Sequence, residues 1–221
     1  MDFSFIPEYS YYFIDGTRNT IIIAFLTVLF GVMIGTLLAL MKISKNMVLK
    51  FIASAYIEFI RGTPLLVQIY LVFFMFTFPE FTVFGIQMDR FIPGVIAMSI
   101  NSGAYVAETI RAGIQAVDKG QMEAARSIGF TGSQSMRYII LPQAIKNILP
   151  ALGNEFVVVI KESSVLSVVG IVELMRGQDF VKAAIYKPLE PLLLAAGIYF
   201  IINFTLTRVL GVAERRMRTG D

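Results

Sequence analysis

Thr20-Ile-Ile-Ile-Ala-Phe-Leu-Thr-Val-Leu-Phe-Gly-Val-Met-Ile-Gly-Thr-Leu-Leu-Ala-Leu-Met41 contains no charged residue. At 1.5 Å per residue it makes about 33 Å of helix, enough to cross a hydrocarbon core of about 30 Å. The chain around it is 56% hydrophobic over 221 residues, in long uncharged runs of the kind a bilayer demands. The expected fold class is therefore an all-α integral membrane protein, a single domain over residues 1–221. Asp2, Glu8 and Asp15 precede the first run, where a secretory signal would carry a basic segment and a small-residue cleavage site, so this run is expected to stay in the mature protein.

Working outward, five spans are expected, at about 20–41, 63–78, 91–110, 141–160 and 191–209. The second is preceded by an interfacial elbow from Phe51 to Arg61, because Glu58, Arg61 and the Gly62-Thr63-Pro64 break are costly at mid-bilayer. Lys and Arg accumulate in short cytoplasmic loops. The loop after span one, the 111–140 loop with Lys146 just beyond it, and the tail after span five together carry twice as many of them as the opposite side. This places the N-terminus outside, the C-terminus in the cytoplasm and the 111–140 loop in the cytoplasm. Gly31, Gly35 and Ala39 form a stripe on span one, fit either for close helix packing or for nothing beyond the ordinary tolerance of glycine in membrane helices. The Phe-rich end of span two (Phe73, Phe74, Phe76, Phe78, Phe81 and Phe84) reads as lipid-facing and packing bulk rather than a ligand cage, because Phe has no polar handle.

Composition removes several functions. There is no His, Cys or Trp, which eliminates histidine bases, thiol chemistry and the usual zinc ligand sets. No catalytic constellation and no metal set is visible, and a membrane enzyme lacks a nucleophile and base. The net charge of +3 follows the membrane sides and needs no nucleic-acid partner. No phosphate-binding G-x-x-x-x-G-K-[ST] loop is present.

Within the cytoplasmic loop, Asp118 suits the N-cap of a short helix, Glu123 lies near its positive end, and Gly129 suits the left-handed turn that ends it. A helix this short does not hold itself in water and needs a partner surface. Met122, Ala125 and Ile128 share a face that fits a groove. Gly132-Ser133 starts a second helix that Leu141-Pro142 turns into span four.

Glu123-Ala124-Ala125, Gly129 and Ile139-Ile140-Leu141-Pro142, at these offsets, resemble the cytoplasmic signature of the permease subunits of ATP-binding-cassette importers, of the type I architecture. Arg61-Gly62-Thr63-Pro64-Leu65-Leu66-Val67-Gln68, Ala104-Tyr105-Val106-Ala107-Glu108-Thr109-Ile110-Arg111-Ala112-Gly113 and Lys161-Glu162-Ser163-Ser164 resemble the branch that imports histidine, glutamine, glutamate, arginine and related polar amino acids. The resemblance runs from about Tyr56 to Arg215; Lys119 departs from it, standing where many relatives have Pro. It implies a coupling helix, with Glu123, Ala124, Ala125, Arg126, Gly129, Leu141 and Pro142 as its signature. It implies as partners a second permease copy or close paralogue, two cytoplasmic ATPase subunits and an extracytoplasmic substrate-binding protein. The chain would carry no cofactor, with ATP and magnesium held by the ATPase. Its location would be a prokaryotic inner membrane.

Rise along the helices places Asn101, Ser102, Asn154, Glu155 and Asn203 at one mid-membrane level. Asn101, Ser102, Asn154 and Glu155 are the first candidates for the substrate pathway, with Thr63 and Gln68 behind them; Asn203 reads as interhelical glue. Gly103 is expected to loosen span three beside them. Lys161, Glu162, Ser163 and Ser164 precede an apolar stretch, Val165 to Leu174, that is too short to span; an outer gate and a surface ion pair are equal readings. Glu58, Arg61, Glu108 and Arg111 map to the cytoplasmic interface as structural ion pairs. The rival function is an ion-coupled secondary transporter or channel using Glu155 and Glu108, which leaves the spaced cytoplasmic motif without a purpose.

Overall fold

Helix α1 runs from Ile6 to Ile43 and so begins well before the uncharged stretch that marks it in the sequence. Glu8, Asp15 and Arg18 do not end it, because Asp15 and Arg18 pair with each other one turn apart (3.2 Å) on the exposed side. Phe13, Gly16, Asn19 and Thr20 are buried. The computed structural model describes residues 1–218, so the last three positions of the domain expected over 1–221 lie outside the described residues. After α1 come α2 (Met47–Arg61), α3 (Leu65–Met75), a two-stranded antiparallel hairpin of β1 (Thr82–Val83) and β2 (Ile86–Gln87), and α4 (Met88–Gln115). Then follow α5 (Lys119–Ser127), α6 (Gly132–Ser135), α7 (Leu141–Glu162), α8 (Leu174–Ile185) and α9 (Leu189–Arg218). The hairpin is the one departure from an all-helical chain among the described residues. Its Phe84-Gly85 tip takes positive φ at both positions, as a tight hairpin turn requires.

Each expected span coincides with the greater part of a helix, although among the described residues only α1 and α9 are by themselves long and apolar enough to cross a membrane, with the bent α2 and α3 pair as a third. Helices α4 and α7 fall short because they carry polar residues, and in α4 several of these, Ser99, Asn101 and Ser102, are buried inside the bundle. Helix α4 packs on α1, α2, α3 and α7. The α1 stripe resolves in favour of packing. An added Cβ at Gly31 would come within 2.8 Å of the Ser102 hydroxyl, and one at Gly35 within 2.6 Å of Val106. Gly103 answers from α4, where a Cβ would meet Ile34 at 2.6 Å. Gly103 therefore serves close approach and does not loosen the helix; α4 is continuous through it.

Four apolar clusters follow the length of the bundle. Phe5, Phe13, Leu174 and Val181 tie the N-terminal half of α1 to α8. Ile23, Ile69, Met98, Ile160 and Leu166 form the centre. Leu38, Ala53, Ile57 and Ala104 seat the elbow α2, whose other face leaves Phe51 and Phe59 exposed, as a helix lying in a membrane interface does. Val117, Ile140, Ala144 and Ile148 close the end of the bundle near the loop between α4 and α7.

Between α2 and α3 the chain bends by 109°. Pro64 has no N–H, so the Ile60 carbonyl loses its helical partner. The Gln68 amide replaces it, donating to the Ile60 carbonyl (2.8 Å) and the Thr63 carbonyl (3.0 Å), while its own oxygen accepts from Asn101 Nδ2 (2.9 Å). Gln68 is buried at 4% exposure, where no water replaces these bonds. Replacing Gln68 by Leu is expected to cost about 1–3 kcal/mol and to lower the midpoint of thermal unfolding of the purified protein. An unchanged midpoint would show that Gln68 is not what closes the bend.

Candidate functional site

Helix α5 is built as its residues dictate. Asp118 caps it, its Oδ1 accepting from the Gly120 N–H (2.7 Å). At the other end Gly129 sits at φ +97°, with Phe130 N–H on the Ala125 carbonyl (3.1 Å) and Gly129 N–H on the Arg126 carbonyl (3.1 Å), the paired bonds of a Schellman turn. The Arg126 guanidinium reaches the Phe130 carbonyl (3.0 Å) and holds the turn from outside. Ala125 is buried and Met122 packs with it toward the base cluster of Val117, Ile140 and Ala144. The face expected to enter a partner's groove is thus divided. Met122 and Ala125 are consumed by this chain, whereas Glu123 and Ala124 are exposed and Ile128 is 76% exposed.

Thr131 opens α6 with a reciprocal capping box to Gln134. One turn of π-helix, Met136–Ile140, then joins α6 to α7, the Leu141 N–H reaching back to the Met136 carbonyl. Pro142 stands at the start of α7 and donates nothing to the preceding turn. Beside it, Gln143 Nε2 donates to the Ile139 carbonyl (2.8 Å) and lies 3.5 Å from Gln121 Oε1 of α5.

In the bundle, Ser102 of α4 donates to Glu155 Oε1 of α7 (2.8 Å). Ser102 is 1% exposed and Glu155 is half-buried. Asn101, one residue away, turns instead to Gln68 and through it to Thr63, so these three belong to the seal of the bend. Asn154 is exposed and does not join them. Asn203 donates to the Tyr199 carbonyl within its own helix (2.8 Å), which is no interhelical contact. Ser163 donates to the Ile160 carbonyl (2.8 Å) and Ser164 to the Lys161 carbonyl (2.7 Å), where α7 tightens into a 3-10 turn over Ser163–Val169. Lys161 is exposed and Glu162 half-buried beside them.

At the other end of α4, Glu108 gathers Lys42 (2.5 Å), Arg111 (2.7 Å) and, loosely, Arg61 (3.9 Å), joining α1, α2 and α4. Arg61 also stacks its guanidinium over Tyr105 (5.6 Å). Glu58 is exposed on α2 and lies outside this network; Lys42 takes the place expected for it. Sequence reasoning also missed Glu173, which stands inside a stretch read as apolar. It is fully buried, caps α8 through the Met175 and Arg176 N–H groups, and accepts from Tyr199 Oη (2.9 Å). An acidic residue directly ahead of a helical pattern was the available signal. At the extreme N-terminus Lys187 donates to Asp2 (2.8 Å), and that bond holds the exposed Asp2 carboxyl well below the usual carboxylate range.

Residues 31–219 match the family model described as binding-protein-dependent transport system inner membrane component. The putative glutamine transport system permease protein GlnP of Rickettsia conorii is 42% identical over 94% of this chain and 93% of its own length. The arginine transport system permease protein ArtQ of Bacillus subtilis is 39% identical over 100% of this chain and 99% of its own. A solved amino acid ABC transporter, crystallised with histidines, superposes with a TM-score of 0.91 at 48% identity, covering 98% of this chain and 99% of that one. The methionine transporter MetNI, in an inward-facing form, shares the fold at a TM-score of 0.77 and 16% identity, over 98% of this chain and 99% of that one. With these proportions of both partners aligned, the chain belongs to the binding-protein-dependent transport system inner membrane components, the permease subunits of ATP-binding-cassette importers.

Proposed function

We propose that the chain is the translocating subunit of an importer of polar amino acids, working by alternating access and driven by a separate ATPase that docks on α5. The observation that carries this reading is the geometry of α5, a capped helix closed by Gly129 with one face on its own bundle and the other exposed. Such a short helix is stable only when packed. Its exposed side offers Glu123, Ala124 and Ile128 to a partner. Five spans, with the N-terminus outside and the C-terminus in the cytoplasm of a prokaryotic inner membrane, place α5 on the ATPase side. Five spans from one chain enclose little, so a second permease copy or close paralogue completes the wall. ATP and magnesium belong to the two ATPase subunits, and an external binding protein delivers the substrate. ATP binding favours one of two bundle arrangements and hydrolysis restores the other.

Relatives named for glutamine and arginine transport support polar amino acids as the cargo. Glu155, half-buried and held by Ser102, is suited to an ammonium or guanidinium group in the pathway. Asn101, Thr63 and Gln68 keep the adjoining bend in place, Asn154 remains a pathway residue toward a partner, and Lys161 to Ser164 form the outer end of α7 where a gate would close.

Proteoliposomes holding this chain, its ATPase and its binding protein are expected to accumulate amino acids only with ATP; uptake sustained by an ion gradient without any ATPase would overturn the reading. Gly129→Asp forces a side chain into a backbone conformation costing about 1–2 kcal/mol and is expected to cut uptake at least tenfold while the protein still inserts into membranes. Normal transport by that variant would remove α5 from the coupling role. Glu155→Gln is expected to raise KM for arginine about tenfold, or about 1.4 kcal/mol, and to leave that for glutamine nearly unchanged. Equal effects on both substrates would place Glu155 outside the recognition of charge.

A further inference from the structure

Two cavities of about 570 and 320 Å³ share a wall made by Arg90, Gly170 and Arg176, at the end of the bundle that holds the hairpin, α8 and the N-terminal half of α1. Three features of that wall call for a ligand. Gly170 ends the 3-10 turn at φ +83°, and a Cβ there would come within 2.3 Å of Arg90 Nη1, so the guanidinium of Arg90 lies against bare backbone. The position demands glycine twice, for its backbone angle and for the room it leaves to Arg90. Arg90 is then poorly matched, with the Asp89 carboxylate no nearer than 3.8 Å. Arg176 is less matched still. Its Nε is buried without a hydrogen-bond partner, its Cζ stacks on Phe180 (5.1 Å), and it makes no ion pair among the described residues.

The charges of the smaller cavity are Arg18, Arg90, Arg176 and Asp15, and Asp15 is already held by Arg18 (3.2 Å). Glu80 and Asp89 line the larger cavity only. Glu173 faces away, its oxygens taken by the first turn of α8 and by Tyr199. Arg90 and Arg176 thus line both cavities, and on the side of the smaller one the Arg18-paired Asp15 is the one carboxylate, beside a buried N–H that lacks an acceptor. A planar fork of donors is the geometry that binds a carboxylate through two parallel hydrogen bonds.

We propose that the notch around Gly170 is a carboxylate-binding site in which Arg90 and Arg176 are the ligand-holding groups. The carboxylate comes either from an Asp or Glu side chain of the external binding protein or from the amino acid as it leaves that protein; in placing the notch outside, the inference rests on the importer reading. Both sources present the same atoms to the arginines, and the concentration that must be raised to restore transport tells them apart.

The test uses the whole complex in proteoliposomes, with Arg90→Gln, Arg176→Gln and the charge-retaining Arg90→Lys and Arg176→Lys, and with Arg18→Gln as the control already paired to Asp15. For a binding-protein acid, the Gln variants raise the concentration of binding protein that gives half-maximal uptake about tenfold, more steeply at high salt, and leave the maximal rate intact. For the substrate carboxylate, they raise the amino acid KM at saturating binding protein by a similar factor. The Lys variants fall between in either case, because they keep the charge and lose the fork. Independently of transport, saturation-transfer NMR with acetate as the probe on this chain in nanodiscs gives a signal that Arg176→Gln removes and Arg18→Gln does not. Gln and Lys variants within twofold of the native protein in both concentrations, with the acetate signal unchanged, would overturn the site. A native complex that fails to transport with ATP would instead overturn the importer reading and leave the acetate measurement to decide the site.

Discussion

The contact between α1 and α4 is the constraint on which the remaining geometry depends. Lipid tails are as apolar as the side chains they touch, so helices in a bilayer associate through close packing and polar contacts more than through expulsion from water. Gly31 and Gly35 on one helix and Gly103 on the other permit that packing. Its consequence extends beyond stability. Gly31 leaves the space that the Ser102 hydroxyl occupies, and Ser102 from there reaches Glu155 on a third helix. A larger residue at Gly31 would displace the hydroxyl before it disturbed anything else.

Prolines set the second constraint, and the chain accommodates two of them in different ways. At Pro64 the lost backbone donor is replaced by the Gln68 amide on the Ile60 carbonyl, four residues before the proline. At Pro142 the helix before the proline widens into a π turn, and the Gln143 side chain donates to the carbonyl of Ile139, the residue four before Gln143 and three before the proline. The first arrangement is locked, because Gln68 is buried and also holds Asn101. The second lies nearer the surface, with Pro142 exposed and Gln143 only half-buried.

Local rules explain what was legible in the chain. The caps of α5, Asp118 and Gly129, depend on neighbours within a few residues, and the structure places both as their chemistry requires. Long uncharged runs likewise fall in helices. What stayed hidden depends on partners distant in sequence. The N-terminal half of α1 lay outside the expected span because Gly16 and Asn19 have a purpose only once the segment from Val172 to Leu174 arrives, a contact separated by more than half the chain. Lys42 could not be assigned to Glu108, nor Asn101 to Gln68 over Ser102, without knowing which face of α4 meets which helix. Gly103 illustrates the ambiguity best, since a glycine among polar residues in a span reads equally as a break or as a contact, and the opposing Ile34 decides it.

On the proposed reading, the division of α5 into two faces bears directly on how force would enter the bundle. If Met122, Ala125 and Ile128 all entered a partner's groove, α5 would be a peg joined to the spans only by its flanking loops. With Met122 packed on the cluster of Val117, Ile140 and Ala144 and Ala125 buried beside it, any push on the exposed side meets the foot of α7 through side chains already in contact. Gln121 and Gln143 provide a polar link along the same line. Close-packed interiors transmit displacement with little compression. The π turn before Pro142 is then the compliant element between a stiff short helix and a stiff long one, and Glu155 lies farther along that same α7 helix.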